Sequence, residues 1–106
     1  MNKSVRVILL DEAEKEYKRL NEIVGKQIKQ GKQNTQEIQL LRSIKQKKDF
    51  IKANPFYGDN IPKKLIPKEY KVQNLWRVEL TNFWRMLYTI SVDQIEIVCF
   101  VIDIMD

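Results

Sequence analysis

Histidine is absent from this chain, and cysteine occurs only once. Without histidine there is no Ser-His-Asp triad, no Cys-His pair and no histidine acid–base pair of the ribonuclease kind. A single cysteine excludes an intramolecular disulfide and a cysteine-rich zinc site. Because Cys99 lies in the apolar run at 98–101, we interpret it as a buried thiol in a reduced, cytoplasmic compartment. We therefore expect neither a metal site nor a cofactor.

Long hydrophobic runs are also missing. No stretch approaches the ~18 apolar residues of a membrane span, and the apolar segment near the start is too short for a signal peptide. We expect no association with a membrane. Hydrophobic residues still make up 43% of the 106 residues, which is enough to build one buried core. The chain is therefore predicted to form a single domain over residues 1–106.

The beginning of the chain predicts a strand followed by a helix. Residues 5–10 are rich in branched apolar side chains, which favour a short strand. Asp11, with Glu14 three positions later, predicts a capped start of the first helix. Gly31 is expected to end it. The helical face is predicted to consist of Ala13, Tyr17, Leu20, Val24 and Ile28, which recur at intervals of three or four residues.

A second helix is predicted to follow immediately. Asn34 with Glu37 repeats the capping pattern, and Thr35 is an alternative cap. The helix is expected to end before Pro55, because the residue preceding a proline disfavours helical backbone. Residues 54–72 contain all three prolines and are predicted to form a loop. The apolar stripe of this helix consists of Ile38, Leu40, Leu41, Ile44 and Ile51.

The last third of the chain changes to a period of two, which indicates strands. Strands are predicted near 75–80, 83–90 and 95–104, with turns at 81–82 and 93–94. The last strand is almost wholly apolar and is expected to be covered on both faces or to be central in the sheet. The predicted fold is therefore α+β: an N-terminal strand, a helical hairpin and a three-stranded antiparallel meander, with both helices packed on one face of the sheet.

Positive charge dominates the chain, with a net charge of +5 and a pI near 9.4. A basic surface gains affinity for phosphates by releasing their counterions. We interpret the helical lysines as solvated surface residues, but Arg77 and Arg85 lie within predicted strands, out of the apolar register. Two interpretations remain open for them: a cross-strand pair with an acid such as Glu79, or a phosphate-binding site on an open sheet face.

Residues 75–90 resemble the central hairpin of the RelE/ParE superfamily of toxins, in which an aromatic-basic strand, a polar turn and an aromatic-arginine strand follow one another. The order of predicted elements is also similar to that of this family. The resemblance implies a small basic toxin that is neutralised by a cognate antitoxin protein. RelE-type toxins cut mRNA on the ribosome without metal or histidine, whereas ParE-type toxins inhibit DNA gyrase.

The resemblance also implies roles for particular residues. Arg77 and Arg85 correspond to the basic catalytic and phosphate-binding positions. Glu79, the third catalytic candidate, stands where the family often has a lysine, and an acid there would either repel the scissile phosphate or act as a base. The expected RNA-binding residues are Lys63, Lys64, Lys68, Lys71 and Tyr88. An antitoxin segment is expected to cover the helices at 11–53, the sheet edge at 5–10, or exposed apolar side chains such as Phe50, Phe56 and Tyr57.

One departure from the family concerns the final strand. RelE-type chains continue past it with a basic stretch and a tyrosine, whereas residues 91–106 here contain four acidic and no basic side chains. We therefore expect a translation inhibitor with weakened RNA cleavage. The alternatives are a ParE-like gyrase inhibitor and a non-catalytic module that binds RNA or an antitoxin.

Overall fold

The computed structural model describes residues 3–106, which form two α-helices and a five-stranded mixed sheet. The α+β class expected from the sequence is confirmed. Two 3₁₀ turns within this range span Lys63–Leu65 and Thr81–Phe83. In chain order, the helices and strands are β1 (Ser4–Leu9), α1 (Asp11–Lys29), α2 (Gln36–Ala53), β2 (Asp59–Asn60), β3 (Trp76–Glu79), β4 (Arg85–Val92) and β5 (Glu96–Met105).

The sheet has the strand order β1-β5-β4-β3-β2, and this corrects the predicted three-stranded meander. β3, β4 and β5 are antiparallel neighbours, but β1 pairs in parallel with β5, from Ser4 opposite Glu96 to Leu9 opposite Val101. Residues 59–60, expected in a loop, pair antiparallel with β3. Both additional pairings join residues far apart in the chain, so local periodicity does not contain them.

Helix α1 begins at Asp11 as predicted, yet the predicted cap is wrong. Leu10 is the N-cap residue, and no side chain makes a capping hydrogen bond there. The Leu10 carbonyl accepts the backbone N–H of Glu14 at 3.3 Å, while the Glu14 carboxylate pairs with Lys18 at 3.0 Å. Acidic side chains in the first turn still interact favourably with the helix dipole. After the helix, Gly31 takes a φ of 81°, which glycine adopts without steric cost.

Helix α2 is capped by Thr35, one of the two predicted alternatives. Its hydroxyl accepts the backbone N–H of Ile38 at 3.1 Å. Glu37 does not return to the cap; its carboxylate accepts a hydrogen bond from Gln27 at 2.8 Å and thereby joins the two helices. The helix ends just before Pro55, as predicted. Within residues 3–106, neither helix combines the length and apolar character that crossing a bilayer requires.

The core lies between the helices and one face of the sheet. Both predicted helical stripes contribute, except that Ile28 remains 60% exposed at the end of α1 and falls outside the core. The buried cluster comprises Ala13, Leu20 and Val24 of α1, Ile38, Leu40, Leu41, Ile44 and Ile51 of α2, and Val78, Leu80, Met86, Tyr88, Ile90, Cys99, Val101 and Ile104 of the sheet and its connections.

An irregularity between β4 and β5 decides which side chains lie on the other face of the sheet. Leu87 is paired with Asp103, but the next residue, Tyr88, is paired with Val101, so Ile102 is the additional residue on β5. Such a bulge changes the alternation of side chains along a strand. Val101 therefore remains in the core with Tyr88, while Asp103 shares the opposite face with Leu87.

Candidate functional site

A groove runs along the sheet face opposite the helices, between the strands and the loop that connects β2 to β3. Its volume is about 640 Å³, within the range of ligand-binding clefts. Both arginines singled out by the sequence, Arg77 of β3 and Arg85 of β4, line it. The other lining residues are Asp59, Asn60, Ile61, Pro62, Leu65, Pro67, Glu69, Tyr70, Leu75, Leu87 and Met105.

The pairing of β3 with β4 explains why the two arginines meet. Arg77 is opposite Leu87, and Glu79 is opposite Arg85, so these four residues alternate out of the core on neighbouring strands. Adjacent strands lie only about 5 Å apart, which brings both cationic side chains to one region of the surface. The structure therefore brings together the three residues predicted as catalytic: Arg77, Arg85 and Glu79.

The two arginines differ in how they are paired. Arg77 Nε lies 3.3 Å from Glu79 Oε1, in an ion pair along one strand whose side chains are 46% and 61% exposed. Such an exposed pair contributes only about 0–1 kcal/mol. It replaces the cross-strand pair considered from the sequence, in which Glu79 would bind Arg85. Within residues 3–106, Arg85 forms no ion pair, although its side chain is partly buried beside the groove.

The wall of the groove is held by a hydrogen bond across it. The Tyr70 hydroxyl, in the loop, donates to Oδ2 of Asp103, on β5, at 2.7 Å. Burial and the hydrogen bond to Asp103 together raise the pKa of Tyr70 to about 12, while the positive charge of Arg85 acts in the opposite direction. Tyr70 is therefore a neutral donor near pH 7, and it fixes the loop against the last strand.

Tyr70, Asp103 and Leu65 were missed as site residues in the sequence. Asp103 carried a signal, because it interrupts an almost wholly apolar strand. The loop residues carried none, because proline-rich segments have no periodicity that would indicate which side chains turn toward the sheet. Their role becomes apparent only from the fold of the loop over the strands.

The predicted RNA-binding lysines are exposed but are not part of the groove. Lys63 borders a neighbouring depression formed with residues of the same loop and with Asn74. Lys64, Lys68 and Lys71 are solvent-exposed on the loop, and none of them lines the groove. They contribute positive charge near the site rather than contacts within it, so their assignment to RNA binding stays a prediction.

Tyr88 does not fit its predicted role in RNA binding, because it is fully buried at 0% exposure. Its hydroxyl donates to the carbonyl of Pro55 at 2.7 Å and accepts the backbone N–H of Gly58 at 3.0 Å. Burial raises the pKa of Tyr88 to about 12. A base cannot stack on a side chain inside the core, so this residue holds the segment after α2 against β4 instead.

A second basic feature adjoins Arg77 on the side of α2. Lys47 Nζ lies 5.6 Å from the ring centroids of both Phe50 and Tyr57, whose own centroids are 5.2 Å apart. Lys47 and Tyr57 share a shallow depression with Arg77 and Glu79. Both aromatic rings are partly exposed, so this cluster offers apolar surface and positive charge together.

The remaining candidate for nucleophilic chemistry, Cys99, is confirmed as buried. It is 0% exposed, and burial raises the pKa of its thiol to about 11. A thiol in that environment is neutral and unreactive near pH 7. Among residues 3–106 there is also no group of three acidic or cysteine side chains arranged to hold a metal ion.

Comparisons of the chain with protein-family models, curated proteins and solved structures found no match. The site is therefore interpreted from its own chemistry. Two guanidinium groups on one open face can bind phosphate oxygens and stabilise developing negative charge. Glu79, Asp59 and Glu69 supply carboxylates beside them. This combination suits recognition of an anion that also carries hydrogen-bond donors.

Proposed function

We propose that this protein is a toxin of the RelE/ParE type that inhibits translation by binding mRNA on the ribosome and that cleaves this mRNA only weakly. The observation that carries the proposal is the position of Arg77 and Arg85 on neighbouring strands, in the groove on the sheet face opposite the helices, with Arg85 lacking an ion pair within residues 3–106. A basic pI near 9.4 supports a polyanionic target.

The proposed chemistry uses the RNA itself as nucleophile. The ribose 2′-oxygen attacks the adjacent phosphorus, a new O–P bond forms, and the bond from phosphorus to the 5′-oxygen of the next nucleotide breaks. Arg85, with Arg77, stabilises the additional negative charge on the phosphate oxygens in the transition state. The proton of the 2′-hydroxyl passes to a base and a proton is returned to the leaving 5′-oxygen. No metal or histidine is needed for these steps.

Glu79 has two roles to be distinguished in this scheme. Its carboxylate holds Arg77 at 3.3 Å, which restricts the direction of that guanidinium. The same carboxylate is a candidate acceptor for the 2′-hydroxyl proton. We assign Glu79 primarily to holding Arg77. Its negative charge also weakens the attraction of this region for phosphate.

The proposal is tested in a cell-free translation system with primer extension on the mRNA. The protein is expected to inhibit translation and to produce weak cuts at defined positions within codons. Arg85→Ala should abolish both effects, whereas Arg42→Ala, which removes an exposed arginine from α2, should leave them unchanged. Arrest that survives Arg85→Ala would contradict the assignment of the groove as the RNA site.

A cognate antitoxin belongs to the same proposal. The partly exposed rings of Phe50 and Tyr57 pack against each other and form an apolar surface, and Tyr57 lines the same depression as Arg77. An acidic, amphipathic antitoxin segment that covers this surface would also block access to the arginine.

DNA gyrase is the alternative target of this protein. This alternative predicts loss of DNA supercoiling in a purified gyrase assay, with no cleavage of mRNA.

A further inference from the structure

We infer that the groove is a binding site for one unpaired nucleotide, with the base against its apolar part, the phosphate at its two arginines, and a preference for bases that carry an amino group. This inference rests on the proposed function, since it takes RNA as the ligand. It goes further by naming which part of the RNA enters the groove and which bases are favoured.

The apolar part of the groove has a rigid floor and an exposed rim. Leu75 and Leu87 are 1% and 6% exposed, so they form a fixed surface. Leu65, in the 3₁₀ turn of the loop, is 63% exposed and faces the same groove. Covering exposed apolar surface of this kind with a flat ring lowers the free energy, because water is displaced from the surface. Met105 adds a polarizable side chain that packs well against aromatic rings.

The polar part of the groove is expected to bind the phosphate and the amino group of the base. Arg85 and Arg77 provide donors for phosphate oxygens. Asp59 and Glu69, both exposed and both lining the groove, provide acceptors. Carboxylates accept hydrogen bonds from the exocyclic amino groups of bases. Uracil has no amino group, and its single ring N–H lies between two carbonyl oxygens that a carboxylate repels. Cytosine, adenine and guanine are therefore expected to bind better than uracil.

The groove is formed before any ligand arrives. The hydrogen bond from Tyr70 to Asp103 fixes one end of the loop to β5, and the backbone N–H of Ile61 donates to the Leu75 carbonyl at 2.9 Å to fix the other. A preformed site loses less conformational entropy on binding than one that must assemble. A volume of about 640 Å³ is sufficient for a single nucleotide.

The test is binding of the four ribonucleoside 5′-monophosphates to the whole chain, measured by two-dimensional NMR titration at one salt concentration, with inorganic phosphate as a further ligand. Cytidine, adenosine and guanosine monophosphates should shift the amide signals of the groove residues and bind more tightly than uridine monophosphate. Inorganic phosphate alone should bind more weakly than any of the first three. The Leu65→Ser substitution should weaken the binding of cytidine, adenosine and guanosine monophosphates by about fivefold, in keeping with the loss of part of one leucine contact.

The matched control is Ile95→Ser, which removes a side chain of similar size that is 77% exposed in the turn between β4 and β5. It should leave nucleotide affinity unchanged. Equal affinity for phosphate and nucleotides, or no effect of Leu65→Ser, would overturn the apolar half of the site. Equal affinity for uridine and cytidine monophosphates would overturn the role of the carboxylates.

The outcomes separate this inference from the proposed function. Nucleotide binding that depends on Leu65, in a protein that does not arrest translation, would retain the site and reject the ribosomal target. Translation arrest that depends on Arg85 but is unaffected by Leu65→Ser, in a protein that binds no mononucleotide, would retain the function and reject the site. Both experiments use the full chain, and the fold of each variant is checked by its own NMR spectrum.

Discussion

Tyr70 donates a hydrogen bond of 2.7 Å to the Asp103 carboxylate, and this bond joins the loop between β2 and β3 to the last strand of the sheet. The two residues are distant in the chain, and only one of them, Asp103, belongs to a regular element. Their contact closes one wall of the groove that contains Arg77 and Arg85. The position of the loop is therefore part of the architecture of the site.

Removal of this bond should loosen the loop. Tyr70→Phe leaves the partly buried Asp103 carboxylate without its donor, so we expect a loss of about 1–2 kcal/mol in the free energy of unfolding. Urea unfolding measures this loss. Hydrogen exchange of loop amides should also become faster. Tyr57→Phe is the control, because that hydroxyl is exposed and contacts Lys47 only at 3.4 Å, and it should have little effect.

The buried hydroxyl of Tyr88 should contribute more to stability than the hydroxyl of Tyr70. Tyr88→Phe leaves the Pro55 carbonyl and the Gly58 N–H without their partner, at an expected cost of about 1–3 kcal/mol in urea unfolding.

Gly58→Ala should also destabilise the fold, because its Cβ would lie 2.9 Å from both the Arg77 carbonyl oxygen and the Tyr88 hydroxyl. Gly25→Ala is the control: its Cβ has open space in α1, and alanine favours helix. Destabilisation by Gly25→Ala as large as that by Gly58→Ala would contradict the explanation.

Stability should fall at alkaline pH, because folding raises the pKa values of Tyr88 and Tyr70. The pKa of Tyr88 and the pKa of Tyr70 are each raised to about 12, whereas a tyrosine in the unfolded chain titrates near 10. Between these values the unfolded chain releases protons that the folded chain retains, so unfolding becomes more favourable as pH rises from about 10 to about 12. Below pH 10 both states are protonated, and this contribution is fully present.

Urea unfolding at a series of pH values from 8 to 11.5 checks this dependence. The wild-type protein should lose stability more steeply above pH 10 than the Tyr88→Phe variant, because the variant lacks one of the two perturbed phenols. Parallel pH profiles for the two proteins would show that burial of Tyr88 does not control the alkaline transition.

The charge of Glu79 should oppose RNA binding. Glu79→Gln removes the negative charge that lies 3.3 Å from Arg77, so Arg77 becomes available to phosphate alongside Arg85, and affinity for single-stranded RNA should rise severalfold. Fluorescence anisotropy of a labelled RNA at several salt concentrations measures the change, with Glu22→Gln on the exposed face of α1 as the control. Tighter binding accompanied by complete loss of cleavage would identify Glu79 as the base instead.

The sequence by itself determined the local elements of this protein. Capping residues, apolar stripes and the change from a helical to a two-residue period placed both helices and every strand except β2 close to their observed bounds, because these signals depend on neighbours within a few residues. The alternation in residues 75–90 also placed Arg77 and Arg85 out of the core. The local signals failed at Asp11, where the turn uses backbone groups rather than the predicted side-chain cap.

Only the tertiary structure decided how these elements form a site. Parallel pairing of β1 with β5, the two-residue strand at 59–60 and the bulge next to the Leu87–Asp103 pair depend on contacts between distant residues. The same contacts bury Tyr88, which had been expected to bind RNA. Burial and ion pairing depend on what packs against a side chain in three dimensions, and neighbouring residues in the chain do not specify those partners.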